Sequence, residues 1–230
     1  MKNPSELRID VAPHGATSGF VYPAGTAAAS GALIFAHGAG AGQRSPFIAE
    51  FARALAALGF DVVTFNFLYM EQRRRAPDKA PALEACYRAV ISAVRSRTEA
   101  AKQALFIGGK SMGGRIATQV AAADRGPGIA GIVLLGYPLH PPGRPDQRRD
   151  AHLPSIERPM LFVQGSRDPF GTPGELAPVL AQLGTSAVLH VVEGGDHSFK
   201  VSRAAAGVQA SIFTDIQRTV ASWMTTVSGT

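Results

Sequence analysis

Cysteine is almost missing from this chain. Cys86 stands alone among 230 residues, so no internal disulfide can form. That excludes a disulfide-stapled scaffold and fits a reducing compartment, so a cytoplasmic location is expected. Long apolar runs are missing too. No stretch of about 18 uncharged apolar residues occurs, and no membrane span is expected. The opening Met1-Lys2-Asn3-Pro4-Ser5-Glu6-Leu7-Arg8 has no apolar core, so no secretory signal is expected. Acidic residues are the scarcer sign, 17 against 23 Lys and Arg, a net charge of +6. Such an excess reads either as an Arg-rich surface or as an attraction for anionic partners. Aromatics make up only 7% and are not interleaved with the basic residues, so no nucleic-acid partner is expected. There is no biased tail, linker or internal repeat. With 46% hydrophobic residues, the expectation is one domain over residues 1–230 with a well-buried core.

Apolar runs alternate with segments of helical period. Leu7–Ala12 and Ser18–Tyr22 read as short strands, and Gly31–Ala36 as a stronger one. Pro46–Leu58 reads as a helix, with Phe47, Ile48, Phe51, Leu55 and Leu58 on one face and Gly59 as its stop. Further strands are expected at Phe60–Phe67, Ala104–Gly108, Ile129–Gly136, Pro159–Gln164 and Ala187–Val192. Helices are expected at Ala82–Arg97, Met112–Ala123, Leu176–Leu183 and Ser211–Val227. Strands apolar on both faces and separated by helices imply an α/β fold. Its central sheet should have about eight strands, mostly parallel, with helices on both faces. Ligands of such sheets gather at the carboxyl ends of the strands.

The residues just past each strand are therefore informative. After Ala104–Gly108 comes Gly109-Lys110-Ser111-Met112-Gly113, a G-x-S-x-G motif between strand and helix. The serine must sit on a very tight turn to project its hydroxyl, and glycines two residues away on either side relieve the crowding. After Pro159–Gln164 comes Gly165-Ser166-Arg167-Asp168, and after Ala187–Val192 comes Gly194-Gly195-Asp196-His197-Ser198-Phe199. A serine, an acid and a histidine thus leave strands at one sheet edge. Ser111 reads as nucleophile, His197 as base and Asp168 as the acid that orients it. Asp196 is the rival acid, but side chains of adjacent residues diverge, so Asp168 is preferred.

These three segments, with the glycine-rich His37-Gly38-Ala39-Gly40, resemble the α/β-hydrolase superfamily from about Ile9 to Trp223. They are most similar to its small, lidless, dienelactone-hydrolase-like branch. Dienelactone hydrolases proper carry a cysteine where this chain has Ser111. The resemblance implies an oxyanion hole formed by the backbone N–H groups of Met112 and Ala39. It also implies hydrolysis of a small-molecule ester or thioester through an acyl-enzyme. The connection between Tyr137 and Arg158 is too short for a cap domain. Two other readings stay open: an acyltransferase using the same three residues, and a non-catalytic binding or scaffold protein that kept the fold.

Other motifs fail. Gly38–Gly42 lacks the third glycine of a dinucleotide loop, and Ala104–Ser111 misses the first glycine of a P-loop and reads as strand. His14, His140, His152 and His190 have no ligand spacing; no metal and no cofactor are expected. Cys86 reads as a small core residue and Trp223 as a packing anchor. Arg73-Arg74-Arg75 with Lys79 comes after the strand ending at Phe67. One reading turns an arginine into the pocket to select an anionic substrate; the other is a solvated turn.

Overall fold

The computed structural model describes residues 3–26, 28–124, 128–183 and 187–229. Its sheet begins with β1 (Ser5–Val11) and β2 (Gly15–Tyr22), which pair antiparallel. Inner residues alternate with outer ones along β1, the period-2 pattern of a strand with one face in water. β3 (Ala32–Ala36), β4 (Asp61–Phe65), β5 (Leu105–Lys110), β6 (Gly131–Leu135), β7 (Met160–Gly165) and β8 (Ala187–Val192) complete it. The order is β1-β2-β4-β3-β5-β6-β7-β8, parallel from β4 onward. Every residue of β3, β5, β6 and β7 is buried, as strands covered on both faces must be.

The helices divide between the two faces. α1 (Pro46–Ala57) and the closing α7 (Ala206–Ser228) cover one face with Ile48, Phe51, Leu55, Ile216, Val220 and Met224. Between them in sequence come α2 (Leu68–Glu71), α3 (Ala80–Arg97), α4 (Glu99–Gln103), α5 (Met112–Ala123) and α6 (Pro173–Ala181). α3 and α5 pack on the opposite face through Leu83, Tyr87, Val90, Ile116 and Val120. Cys86 is fully buried there, and Trp223 lies against Phe106. The passage from β6 to β7 holds one 3-10 turn, Leu153–Ser155, and no cap domain. Among the described residues, no helix is long and apolar enough to cross a membrane.

The eight expected strands and five expected helices all form; β8 and α5 have the expected ends, and the ends of the others shift. α6 starts at Pro173 rather than Leu176, because Thr172 and Glu175 form a capping box ahead of the apolar run. α7 starts at Ala206 rather than Ser211. α2 and α4 lie outside the expected elements; at four and five residues they are too short to show a period.

Candidate active site

Ser111 occupies the turn between β5 and α5. Its backbone has φ 52° and ψ −116°, a region that strains any side-chain-bearing residue. The strain is held from both sides: Ser111 N–H donates to Leu135 O at 2.9 Å, and α5 starts at the next residue. The motif's glycines are a steric demand. A β-carbon at Gly113 would lie 2.6 Å from Ala36 O, and one at Gly109 would lie 2.4 Å from the same oxygen.

Asp168 leaves β7 and His197 leaves β8, adjacent strands; β6 lies between them and β5. At the end of β6, Gly136 clears the way. A β-carbon there would sit 3.4 Å from His197 Nδ1 and 2.7 Å from Lys110 Nζ. His197 Nε2 lies 2.9 Å from Ser111 Oγ, and His197 Nδ1 lies 2.8 Å from Asp168 Oδ2. Asp168 is fully buried and its oxygens are satisfied. Gln164 Nε2 donates to Oδ2 at 2.8 Å, and Phe170 N–H donates to Oδ1 at 2.8 Å. The Phe170 ring stacks on the imidazole with centroids 4.2 Å apart. Asp196 turns away and accepts from the N–H groups of Ser198 and Lys200, a loop-forming role.

Sequence reasoning missed Gln164 and Phe170. Gln164 carried a signal: it is a buried amide closing a strand that is otherwise apolar. Its Oε1 accepts from Tyr137 N–H, so it ties β6 to β7 while it holds Asp168. Phe170 carried none.

The glycine-rich loop is held from below by His37. Phe67 N–H donates to His37 Nε2 at 3.1 Å, leaving Nδ1, 2.8 Å from Gly38 O, as the protonated nitrogen. Burial pushes this imidazole down to about 4. Lys110 is buried too, its Nζ without a hydrogen-bond partner among the described residues and 5.4 Å from the Phe199 ring centroid. Burial lowers its ammonium to about 8, opposed by the charges of Asp168 and Asp196. Both shifts give stability the same sign against pH. Between about 6.5 and 4 the unfolded chain binds a proton at His37 that the folded chain does not, so stability falls as the medium is acidified. Between about 8 and 10.5 the same holds at Lys110, so stability rises with pH there. From pH 7 to 4.5, His37 should cost on the order of 2 kcal/mol. Urea unfolding at the two pH values reads this, and His37→Gln should remove that share of the slope.

Ser111 and His197 line a cavity of about 790 Å³, within the range of small-molecule sites. Phe47, Leu83, Phe170 and Phe213 give it apolar walls. Ala39 and Met112 line it as well. Met112 opens α5, so its N–H has no partner within the helix. Arg73, Arg74 and Arg75 do not line it. They are exposed, and Arg74 pairs with Asp78 on the cavity rim. The reading that turned one of them into the pocket is thereby corrected: α2 ends at Glu71, and the chain beyond it runs over the surface.

Residues 29–225 match the model of a family described as an alpha/beta hydrolase domain. Solved structures share the fold over nearly all of both chains. A dienelactone hydrolase from Anabaena variabilis is 21% identical with a TM-score of 0.75, covering 96% of this chain and 97% of its own. An alpha-beta serine hydrolase homologue from Coxiella burnetii is 20% identical with a TM-score of 0.75, covering 96% and 98%. A lidless serine hydrolase from Xanthomonas campestris is 20% identical with a TM-score of 0.68, covering 95% of each.

Proposed function

The chain belongs to the alpha/beta hydrolase domain family, and on that footing we propose that it hydrolyses a small ester or thioester through an acyl-enzyme on Ser111. One observation carries the reading: Ser111 Oγ, His197 and the buried Asp168 stand in a continuous hydrogen-bonded line at the wall of an open cavity. His197 Nε2 takes the hydroxyl proton as Oγ attacks the carbonyl carbon. The carbonyl becomes an oxyanion, facing the N–H groups of Met112 and Ala39. Its collapse expels the alcohol or thiol, which takes the proton from His197. Water then attacks the acyl-enzyme with the same base and releases the acid. Each donor of an oxyanion hole is worth about 2.7–4 kcal/mol of barrier.

Asp168 accepts from His197 while Gln164 and Phe170 N–H fix both its oxygens, so imidazole orientation depends on the carboxylate. Asp168→Asn leaves the shape and turns an acceptor into a donor. It should lower kcat by roughly three to four orders of magnitude. The test is initial rates on matched oxygen esters and thioesters for wild type and Asp168→Asn. A variant as fast as wild type would remove Asp168 from the mechanism. Inactivity of folded wild type across the panel would oppose the hydrolase reading.

A further inference from the structure

Two arginines line the cavity beside Ser111, and neither has a carboxylate partner among the described residues. Arg115 lies one turn along α5, its backbone N–H bonded to Ser111 O at 3.1 Å. Among the described residues its side chain hydrogen-bonds only to Gln119 Oε1, at 3.4 Å. Arg149 belongs to the connection between β6 and β7. Its backbone is pinned on both sides, the N–H donating to Leu139 O and the carbonyl accepting from Tyr137 Oη at 2.6 Å. Both arginines line the cavity and both are half-buried.

The nearby acids are committed elsewhere: Asp150 pairs with Arg148, and Glu84 with Arg88. Two like charges therefore share one cavity wall, near enough for Arg149 to act on Arg115. Burial first, and the Arg149 charge second, hold the Arg115 guanidinium below its ordinary value. His152, bonded to Thr118 Oγ1 on the same helix, is lowered by burial and by Arg115. Holding such groups together costs free energy that an anion entering between them would return. The remaining acids of the lining do not fill this role: Asp78 pairs with Arg74, and Glu50 is exposed on α1.

We propose that Arg115 and Arg149 form a subsite for an anionic group, a carboxylate or a phosphate, carried on the substrate a short spacer away from the carbonyl that Ser111 attacks. The proposal rests on the hydrolase reading for the word substrate; the anion site itself stands on the two unpaired arginines. A guanidinium fork presents paired donors to either oxyanion, and two forks select against a neutral chain end.

The test compares p-nitrophenyl butyrate with mono-p-nitrophenyl glutarate, which differ by a terminal carboxylate. Wild type should favour the glutarate about tenfold or more in kcat/KM, the scale of one charge-assisted hydrogen bond. Arg149→Gln and Arg115→Gln should each collapse that ratio, and Arg149→Lys should restore part of it. In parallel, calorimetry on Ser111→Ala protein with glutarate and with inorganic phosphate reads binding without turnover, and the tighter of the two names the class. An equal ratio in wild type and Arg149→Gln, with neither anion bound, overturns the subsite while leaving the hydrolase standing. Anion binding that disappears with Arg149→Gln, in a protein that cleaves neither ester, supports the subsite and overturns the hydrolase. No turnover and no binding overturns both.

Discussion

Ser111→Ala should lower kcat on any ester the protein cleaves by about 10⁴- to 10⁶-fold while leaving substrate binding nearly intact. The size reflects what is removed. Without Oγ no acyl-enzyme forms, and His197 loses the hydroxyl 2.9 Å from its Nε2. Residues that act as one unit fail together, so His197→Ala should cost about as much, and the double variant little more. The cavity survives, and so does the proposed oxyanion hole, which would still polarise a carbonyl toward water. That remnant of catalysis is typically about 10³- to 10⁴-fold over water. Stability should barely move, because the φ of 52° strains an alanine as it strains the serine. Initial-rate kinetics on the wild type and the three variants reads the pattern. Additive losses would mean the residues do not work as a unit.

Gly108→Ala should be the most damaging methyl added at any described glycine. A β-carbon there would lie 2.0 Å from Val133 O, and also within 3.0 Å of Val133 C and N. Val133 is its neighbour in register on β6, so relief requires the two central strands to part. The Tyr87 hydroxyl fills the other side. It accepts from Gly108 N–H at 2.9 Å and faces the carbonyls of Gly108 and Ile34 at 2.7 and 3.1 Å. Parting β5 from β6 would pull on the bond from Ser111 N–H to Leu135 O as well, so the Ser111 turn would go with the sheet. A cost of about 4 kcal/mol or more is expected, lowering Tm by about 10 °C or more. Gly207→Ala is the control. Its β-carbon meets nothing within 4 Å near the start of α7, and helix propensity makes the change neutral or mildly stabilising. Thermal unfolding of both variants checks the contrast; a Gly108→Ala protein as stable as wild type would contradict this packing.

The order of elements and the three residues at the strand ends were legible because each has a local signature. Doubly buried strands such as Ala32–Ala36 are continuous apolar runs, and Ser111 sits in a motif that only a tight strand-to-helix turn requires. That His197 would meet the carboxylate of Asp168 and not that of Asp196 was legible too, from the divergence of neighbouring side chains. The illegible parts depend on residues far apart in sequence. Gln164 and Asp168 are close in the chain, but Gln164's value lies in also holding Tyr137 N–H and Gly171 O. Tyr87 reaches the backbone of two strands from a helix, and nothing in its helical period announces that. Arg115 and Arg149 line one cavity only because the β6–β7 connection folds back onto α5. The triplet at Arg73–Arg75 drew attention for its density, yet density of charge marks a solvated surface here.

The sharpest test of Ser111 as an activated nucleophile is labelling with a fluorophosphonate probe, followed by peptide mapping of the modified residue. Stoichiometric modification of wild type at Ser111 is expected, strongly slowed in Asp168→Asn and absent in Ser111→Ala. Folded wild-type protein that takes up no probe, or takes it up at another serine, would contradict that role.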